Sequence, residues 1–323
     1  MSKYNTDLDY VILDIDISRE ELNEIKIEAD MIISENKKKE KDEETKKILA
    51  LAYLKKAQCR RKLESGFTYE VILYEDMGLG LFNKARKSIK KLLEKALELF
   101  PDMPEALMQL GLLYSGGYGA FKENENKSIN FFNRAIQLKP DYAAAFNNRA
   151  MLFYERNPFE DKDEKDNIEK AKINFRNAVA DLTEAIRIRP FDALYHLYRG
   201  EFHSRLKEHK EAAADFSSAI NYASDVVKNR LNTVVLILNL RGKEYTELKE
   251  YGKAVEDFSE TLRMRQSHDD TLLLRGKAYY LSGEKDKAKA DIEEYLNRNR
   301  IVADENNRKE IIKIVGIKPE DIL

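Results

Sequence analysis

The fold of this chain is most evident in LRGKEYTELKEYGKAVEDFSETL, residues 240–262, and in LRGKAYYLSGEKDKAKADIEEYL, residues 274–296. Gly242 and Gly276 are 34 residues apart, and a Tyr, an Ala and a large apolar residue stand at matching offsets after each glycine. A fixed period of this length is typical of helical hairpins that stack on one another. The period indicates a binding scaffold rather than an enzyme, and it does not identify the ligand.

The same spacing continues toward the N-terminus. Ala212, Ala254 and Ala288 each lie 12 residues after a glycine, and a large apolar residue follows each alanine by four positions. Steps of four residues place side chains on one face of a helix. Upstream, Pro190 ends a helix whose next turn it cannot join. The spacing predicts five hairpins over residues 104–298.

Residues 104–298 resemble the tetratricopeptide-repeat family, in which a small residue on the first helix is followed by an aromatic residue three positions later. The matching pairs are Gly111 and Tyr114, Ala150 and Phe153, Gly242 and Tyr245, and Gly276 and Tyr279. The family's usual Trp is absent, since the chain contains none. The segment ALMQLGLLYSGGYG is also similar to the Sel1-like relatives of the family, which places one Sel1-like hairpin near residues 105–135.

The resemblance implies an all-α fold, a right-handed α-solenoid of stacked helix-turn-helix repeats with a less regular N-terminal segment. Four regions are predicted: an irregular N-terminal segment (1–40), a divergent first hairpin with an apolar loop (41–103), five tetratricopeptide-like hairpins (104–298), and a C-terminal capping helix with a tail (299–323). Within the first region, YVILDIDI alternates like a strand, and Ser18 with Glu21 forms a capping-box signal for a helix over residues 19–34. The glycines of GLG, residues 78–80, are predicted to lie in a turn.

Three insertions interrupt the period. They follow Tyr114, follow Tyr154 in the charged segment ERNPFEDKDEKDNIEK, and precede Leu231. The third adds eight residues, which is about two helical turns. We therefore predict that the helix containing VVKNRLNTVVLILNLRGKEY is extended at its start and protrudes from the stack.

The composition argues against several classes of function. The chain has 56 Lys and Arg residues against 58 Asp and Glu residues, so no global field attracts nucleic acid or anionic membrane. Cys59 is the single cysteine, which excludes an internal disulfide and favours a reducing compartment. The N-terminus MSKYNTDLDY lacks the pattern of a secretory signal, and no run of residues is apolar enough to span a bilayer. We expect a cytoplasmic protein that binds neither nucleic acid nor membrane.

No constellation of residues predicts catalysis. The four histidines lack the separation of three or four residues that places two imidazoles on one helical face. The glycine runs are not followed by the Lys and Ser or Thr of a phosphate loop, and the spacing of an EF-hand is not met. We therefore expect no enzymatic activity, no metal and no cofactor.

The resemblance implies that function lies in a concave groove lined by the first helix of each hairpin. Carrying the family register over to this chain places a set of residues on or near the free face of those helices: Asn147, Asn148, Met151, Tyr154, Leu197, Tyr198, Glu201, Arg205, Asn239, Lys243, Lys277 and Tyr280. Asn amides can bond an extended backbone, while Tyr, Met and Leu provide apolar pockets. We predict a non-enzymatic scaffold for protein-protein interaction that binds a peptide or a partner helix in this groove.

Of two further interpretations of the groove, one is disfavoured and one stays open. A clamp for the acidic tails of heat-shock chaperones is disfavoured, because only Asn148 matches the residues that such a clamp requires. A structural or self-assembling protein stays open as the alternative, with the groove occupied by its own or a neighbour's N-terminal segment. The apolar stretches GFTYEVILYEDMGLGLF and YVILDIDI motivate that alternative. The identity of the partner, the oligomeric state and the location of residues 67–82 are left open by the sequence.

Overall fold

The structure is a computed structural model that describes residues 18–36, 42–65, 75–115, 122–155, 164–223, 231–264 and 269–298. These ranges form 13 α-helices and contain no strand. In chain order the helices are α1 (Arg19–Asn36), α2 (Glu43–Ser65), α3 (Glu75–Leu99), α4 (Pro104–Ser115), α5 (Lys122–Leu138), α6 (Ala143–Glu155), α7 (Glu164–Ile188), α8 (Ala193–Arg205), α9 (His209–Tyr222), α10 (Leu231–Glu247), α11 (Tyr251–Met264), α12 (Asp269–Ser282) and α13 (Lys285–Arg298). The predicted all-α helical-repeat fold is confirmed.

The chain divides into two compact units, Met1–Leu152 and Phe153–Leu323. In the first unit α1 packs on α2, α2 packs on α3, and α4 packs on α5. One core joins α2, α3 and α4 through residues such as Leu54, Leu93 and Leu110. A second core includes Leu107 and Phe132, together with residues of α6. The unit is therefore held together by apolar contacts between successive hairpins.

Helix α1 begins as its capping signal predicts. The backbone N–H of Ser18 donates to Oε2 of Glu21 at 2.8 Å, and the backbone N–H of Glu21 donates to Oγ of Ser18 at 3.1 Å. The two bonds satisfy donors that a helix N-terminus otherwise leaves without a partner. The helix predicted over residues 19–34 is confirmed and runs to Asn36.

The second unit contains three hairpins, α8 with α9, α10 with α11, and α12 with α13, and α7 packs against α8. The repeated glycine is needed where the two helices of a hairpin approach most closely. A Cβ atom built on Gly242 would lie 2.6 Å from Cε1 of Phe258, and one built on Gly276 would lie 2.9 Å from Cδ1 of Ile292. The period in the sequence therefore records a steric match between a glycine and the large residue that fills the space beside it.

The turns inside these hairpins share one geometry. Lys207, Lys249 and Gly283 have φ values of 61°, 62° and 89°, in the left-handed region. In the first of these turns the N–H of Lys207 donates to the carbonyl of Ser204, and the N–H of the next residue donates to the carbonyl of His203. The other two turns repeat both bonds. This is the Schellman ending of a helix, and it sets the sharp reversal into the second helix of each hairpin.

The prediction that the glycines of residues 78–80 lie in a turn is wrong. Helix α3 begins at Glu75, so Gly78 and Gly80 lie inside a helix rather than in a turn. A helical glycine costs about 1 kcal/mol relative to alanine, which a long helix tolerates. The insertion after Tyr154 contributes to α7, whose 25 residues exceed the 14 of α9 and of α11. The charged segment is therefore partly helical from Glu164 onward.

Helix α10 is extended at its start, by less than predicted within the described residues. It begins 11 residues before Gly242, whereas α8 and α12 begin seven residues before Gly200 and Gly276. The difference is about one helical turn. Residues 224–230 lie outside the described ranges, as do YVILDIDI, residues 66–74 and the predicted capping helix over 299–323. The predictions for those segments remain predictions.

Candidate partner-binding face

The first helices of the three hairpins in the second unit present one stripe each to solvent. The stripe consists of residues at i, i+4 and i+7, which share one helical face. The nine residues, called the free face below, are Leu194, Tyr198 and Glu201 on α8, Leu236, Leu240 and Lys243 on α10, and Asp270, Leu274 and Lys277 on α12. All nine are at least partly exposed, and Leu194 and Leu236 are 42% and 47% exposed.

The residue that precedes the middle of each stripe is buried, which removes two predicted residues from this surface. Leu197 is 5% exposed and packs in a core with Phe216 and Ile237. Asn239 is 7% exposed, and its Oδ1 accepts a hydrogen bond from Oγ1 of Thr271 at 3.1 Å. One residue along a helix rotates the side chain by about 100°, enough to turn it from solvent into the neighbouring hairpin. The side chains of Leu197 and Asn239 therefore pack against the next hairpin and do not belong to the free face.

Burial changes the acid-base chemistry at the α8 end of the free face. Burial raises the pKa of the Glu201 carboxyl above its usual value, and the positive charge of Arg205 opposes this. Burial, together with the negative charges of Glu201 and Asp192, also raises the pKa of Tyr198. Arg205 itself lies over Phe175 of α7, with 5.8 Å between the guanidinium carbon and the ring centroid. The α8 end thus combines an aromatic ring with a partly desolvated acid.

The other predicted residues of the second unit lie on α10 and α12. Lys243 is exposed, and Lys277 and Tyr280 are partly exposed. Tyr280 stands three residues after Lys277, so the two side chains are neighbours on α12. Lys243 and Lys277 place cations on α10 and α12 and Tyr280 adds an aromatic ring, while Asp270 on α12, like Glu201 on α8, is acidic.

The other four predicted residues lie on α6, the helix within which the chain divides into its two units. Nδ2 of Asn148 donates to the carbonyl of Ala144 at 2.7 Å, so that amide bonds its own helix. Oδ1 of Asn147 is buried and accepts no hydrogen bond from the residues that the structure describes. Met151 is partly exposed. Tyr154 belongs to α6 by its backbone, and its side chain lies outside the described part of the chain.

A set of buried ion pairs was not predicted from the sequence. Arg199 of α8 donates through Nε and Nη2 to both carboxylate oxygens of Asp215 on α9, at 2.8 and 2.7 Å. The corresponding pairs in the next two hairpins are Arg241 with Asp257 and Arg275 with Asp291, with the same paired geometry. Bidentate bonds of this kind are short and geometrically specific. One Arg–Asp pair therefore joins the two helices of each of these three hairpins.

Each of these arginines also reaches the preceding repeat. Nη1 of Arg199 donates to Oγ1 of Thr183 on α7 at 3.2 Å, and Nη1 of Arg241 donates to Oγ of Ser217 on α9 at 3.1 Å. Nη1 of Arg275 donates to Oγ of Ser259 on α11 at 3.1 Å. The signal was present in the sequence, since each Arg directly precedes a repeated glycine and each Asp follows that glycine by 15 residues. The spacing alone does not show that the two side chains meet, because their contact depends on how the two helices of the hairpin pack.

The pairing perturbs the ionisation of its members. Burial alone would raise the pKa of Asp215, but hydrogen bonds from Arg199 and His196 and the charges of Arg199 and His203 together lower it. The hydrogen bond to Asp257 raises the pKa of Arg241, against an opposing effect of burial. These directions are those expected of a charged pair that stays charged in the folded protein.

The structure bears on two other expectations. Among the described residues, no group of three or more His, Cys, Asp or Glu side chains is arranged to hold a metal ion. None of the helices in the described ranges combines the length and apolar character needed to cross a membrane.

Comparison with known proteins agrees with the architecture. Residues 173–226, from α7 to just past α9, match the sequence model of the tetratricopeptide repeat. No curated protein is detectably similar to the chain in sequence. Among solved structures, the C-terminal part of a tetratricopeptide-repeat-containing protein from Cytophaga hutchinsonii is similar, with a TM-score of 0.56, 12% identity, and coverage of 91% of this chain and 99% of that one. YrrB, described as a tetratricopeptide protein with an unusual peptide-binding site, gives a TM-score of 0.51 at 15% identity and covers 70% of this chain and 98% of its own.

The fold and its repeated hairpins define a helical-repeat protein of the kind that serves as a binding scaffold. The glycine period, the Schellman turns and the match over residues 173–226 specify the repeat further. Residues 173–226 carry the tetratricopeptide-repeat sequence pattern, and the described helices share the helical-repeat fold of solved tetratricopeptide-repeat structures.

Proposed function

We propose that this chain is a non-enzymatic scaffold that binds a segment of a partner protein on the free face of α8, α10 and α12. The observation that carries the proposal is the recurrence of exposed residues at i, i+4 and i+7 on three successive first helices. Leucine occupies one or two of the three positions on each helix, so apolar contacts recur across the surface. An extended peptide or an amphipathic helix presents side chains at regular intervals, which suits such a repeating surface.

The charges of the free face favour particular partner residues. Glu201 and Asp270 place acids on α8 and α12, whereas Lys243 and Lys277 place cations on α10 and α12. A complementary segment carries basic side chains near Glu201 and Asp270 and acidic side chains near the two lysines. Charge pairs at the edge of an interface influence specificity and association rate more than affinity, while buried apolar anchors supply most of the affinity. We therefore assign the affinity mainly to the leucines.

YrrB has been described as having an unusual peptide-binding site. At 15% identity the likeness concerns the fold. The proposal for this chain accordingly rests on its own exposed side chains.

Affinity capture from native lysate with mass spectrometry tests the proposal. Three full-length proteins serve as bait: the wild type, the free-face variant Leu236→Asp/Lys243→Glu, and the control Lys210→Glu. Leu236 and Lys243 are both exposed, so the substitutions leave the core intact. Lys210 is an exposed lysine on α9 and controls for the reversal of charge. We expect partners retained by the wild type and the control to be lost from the free-face variant.

The contrary outcome is equally definite. Equal recovery of every partner from all three baits, with circular dichroism showing that each is folded, would rule out the free face as the binding surface.

A further inference from the structure

A surface groove of about 430 Å³ opens between α3, α4 and α5 in the first unit. It is lined by Glu94, Leu97, Glu98, Leu110, Tyr114 and Phe131, and is called the first-hairpin groove below. None of these residues belongs to the free face. The groove therefore offers a surface that the proposed function does not use.

The groove occupies the position where the later hairpins hold their ion pairs. Leu110 directly precedes Gly111, as Arg241 directly precedes Gly242. Phe131 directly precedes the large residue that packs against that glycine, as Asp257 does in its hairpin. In α10 and α11 a guanidinium bridges these two positions and bonds the preceding repeat. In α4 and α5 both positions are apolar, so no such bridge fills the space.

The floor and wall of the groove are organised by packing within the first unit. Leu110 is buried in the core shared by α2, α3 and α4. The rings of Tyr114 and Phe131 are stacked, with 5.6 Å between centroids and 18° between planes. Nζ of Lys90 and Nζ of Lys127 lie 5.9 and 6.0 Å from the Tyr114 centroid, within the range of cation-π attraction. A concave apolar surface that is already ordered loses little entropy when a ligand fills it.

One rim of the groove is acidic. Glu94 and Glu98 stand four residues apart on α3 and are both exposed. Oε1 of Glu94 lies 3.5 Å from Nζ of Lys90, so its charge is partly compensated. Glu98 forms no ion pair with any residue in the described ranges. An apolar floor beside a free carboxylate is complementary to an apolar side chain next to a cation.

We propose that the first-hairpin groove is a second docking site, which takes a partner-protein segment carrying an aromatic or branched aliphatic side chain beside Lys or Arg. The apolar side chain fills the space between Leu97, Leu110 and Phe131. The neighbouring cation pairs with Glu98. The site does not depend on the free face, because the two surfaces share no residue.

Selection of random peptides displayed on phage against the immobilised full-length chain tests this site. Recovered peptides are synthesised with a fluorescent label, and their dissociation constants are measured by anisotropy. We expect a recurring pair of an apolar and a basic residue. The variant Glu98→Lys reverses an exposed charge without touching the core, and we expect it to weaken these peptides by about three- to tenfold, mainly through slower association, as for a charge at the rim of an interface. Glu28→Gln, at an exposed glutamate of α1, is the control and is expected to change nothing.

A second variant fills the groove with an ion pair. Leu110→Arg/Phe131→Asp introduces the ion pair that the later hairpins use at the same two positions. If this variant retains its helical circular dichroism, we expect the same peptides to lose binding by at least about tenfold, because the apolar floor is gone. If it does not fold, the Glu98→Lys result decides alone.

Three outcomes would overturn the inference. The first is recovery of no peptide, and the second is recovery of peptides without the apolar-basic pair. The third is peptides that bind Glu98→Lys as tightly as the wild type but are lost from Leu236→Asp/Lys243→Glu. That last result would support the free face while removing the first-hairpin groove, so the two proposals fail separately.

Discussion

At the scale of single residues, the repeat is a set of steric matches. Gly200, Gly242 and Gly276 leave room for Phe216, Phe258 and Ile292 on the second helix of the same hairpin. Gly252 is different, because a Cβ atom there would meet no atom within 4 Å. The same residue type therefore plays opposite roles only ten residues apart.

This contrast gives a matched pair of substitutions. Gly242→Ala forces a methyl group to 2.6 Å from the Phe258 ring, and we expect it to lower the free energy of unfolding by about 1–3 kcal/mol, the usual effect of overpacking a core. Gly252→Ala, in the first turn of α11, is expected to raise it by about 0.5–1 kcal/mol because alanine is the better helix former. Urea unfolding followed by circular dichroism measures both. Equal effects of the two substitutions would show that the close approach of Gly242 to Phe258 is unimportant.

At the scale of the helical element, the ion pairs explain how a hairpin keeps its register. Arg241 bonds Asp257 in its own hairpin and Ser217 in the preceding one. Asp257 is buried, so its charge has exchanged water for the guanidinium. Buried ion pairs contribute little net stability compared with well-packed apolar residues, but breaking one side leaves a desolvated charge.

Removing only the cation should therefore be severe. We expect Arg241→Ala to lower the free energy of unfolding by about 3–5 kcal/mol, since it leaves Asp257 buried without its partner. The double variant Arg241→Met/Asp257→Leu removes both charges and should lose much less. Chemical denaturation of both variants measures the difference. A double variant less stable than Arg241→Ala would contradict the assignment.

At the scale of the whole molecule, the charges nearly balance, with a formal net charge of −2 at pH 7. Acid changes that balance, because the carboxylates take up protons while the 56 Lys and Arg residues stay charged. The folded chain holds Asp215 ionised against burial, with a pKa below its usual value. The unfolded chain binds a proton at this position more readily, so stability falls as the pH falls.

The acid sensitivity can be measured and assigned. We expect the contribution of Asp215 to be fully present above about pH 4, the usual range of an aspartate, and to be lost as the pH falls through its lower folded value. Asp215→Asn should be less stable at pH 7 and should show a shallower decline between pH 4 and pH 2. Unfolding by urea at a series of pH values provides the comparison with wild type. Parallel curves for the two proteins would exclude Asp215 as a source of the decline.

Much of the architecture was predictable from local pattern. The glycine period predicted the hairpins, because the same steric match recurs and leaves a mark at every repeat. The capping box of Ser18 and Glu21 predicted the start of α1 for a similar reason, since its partners are three residues apart. The start of α3 at Glu75 was missed, because Gly78 and Gly80 are poor helix formers whose tolerance depends on the length of the helix around them.

The candidate surface was predictable only in part. The register carried over from the resembling family placed Tyr198, Glu201, Lys243 and Lys277 near one face, and all four are at least partly exposed. It could not separate them from Leu197 and Asn239, because the next hairpin, rather than the helix itself, covers those two residues. The first-hairpin groove was not predicted, because it is recognised only by comparison with the later hairpins. In those hairpins an Arg and an Asp occupy the positions of Leu110 and Phe131.

Residues 240–262 and 274–296 were thus sufficient to predict the class of fold, an all-α helical repeat, because the period arises from contacts within one hairpin. Which residues meet solvent was settled by packing between hairpins. That packing buried Leu197 and Asn239, bonded each Arg to a Thr or Ser of the preceding repeat, and left an open groove where apolar residues replace the Arg and the Asp. Exposure depends on partners distant in sequence, and a local period does not report them.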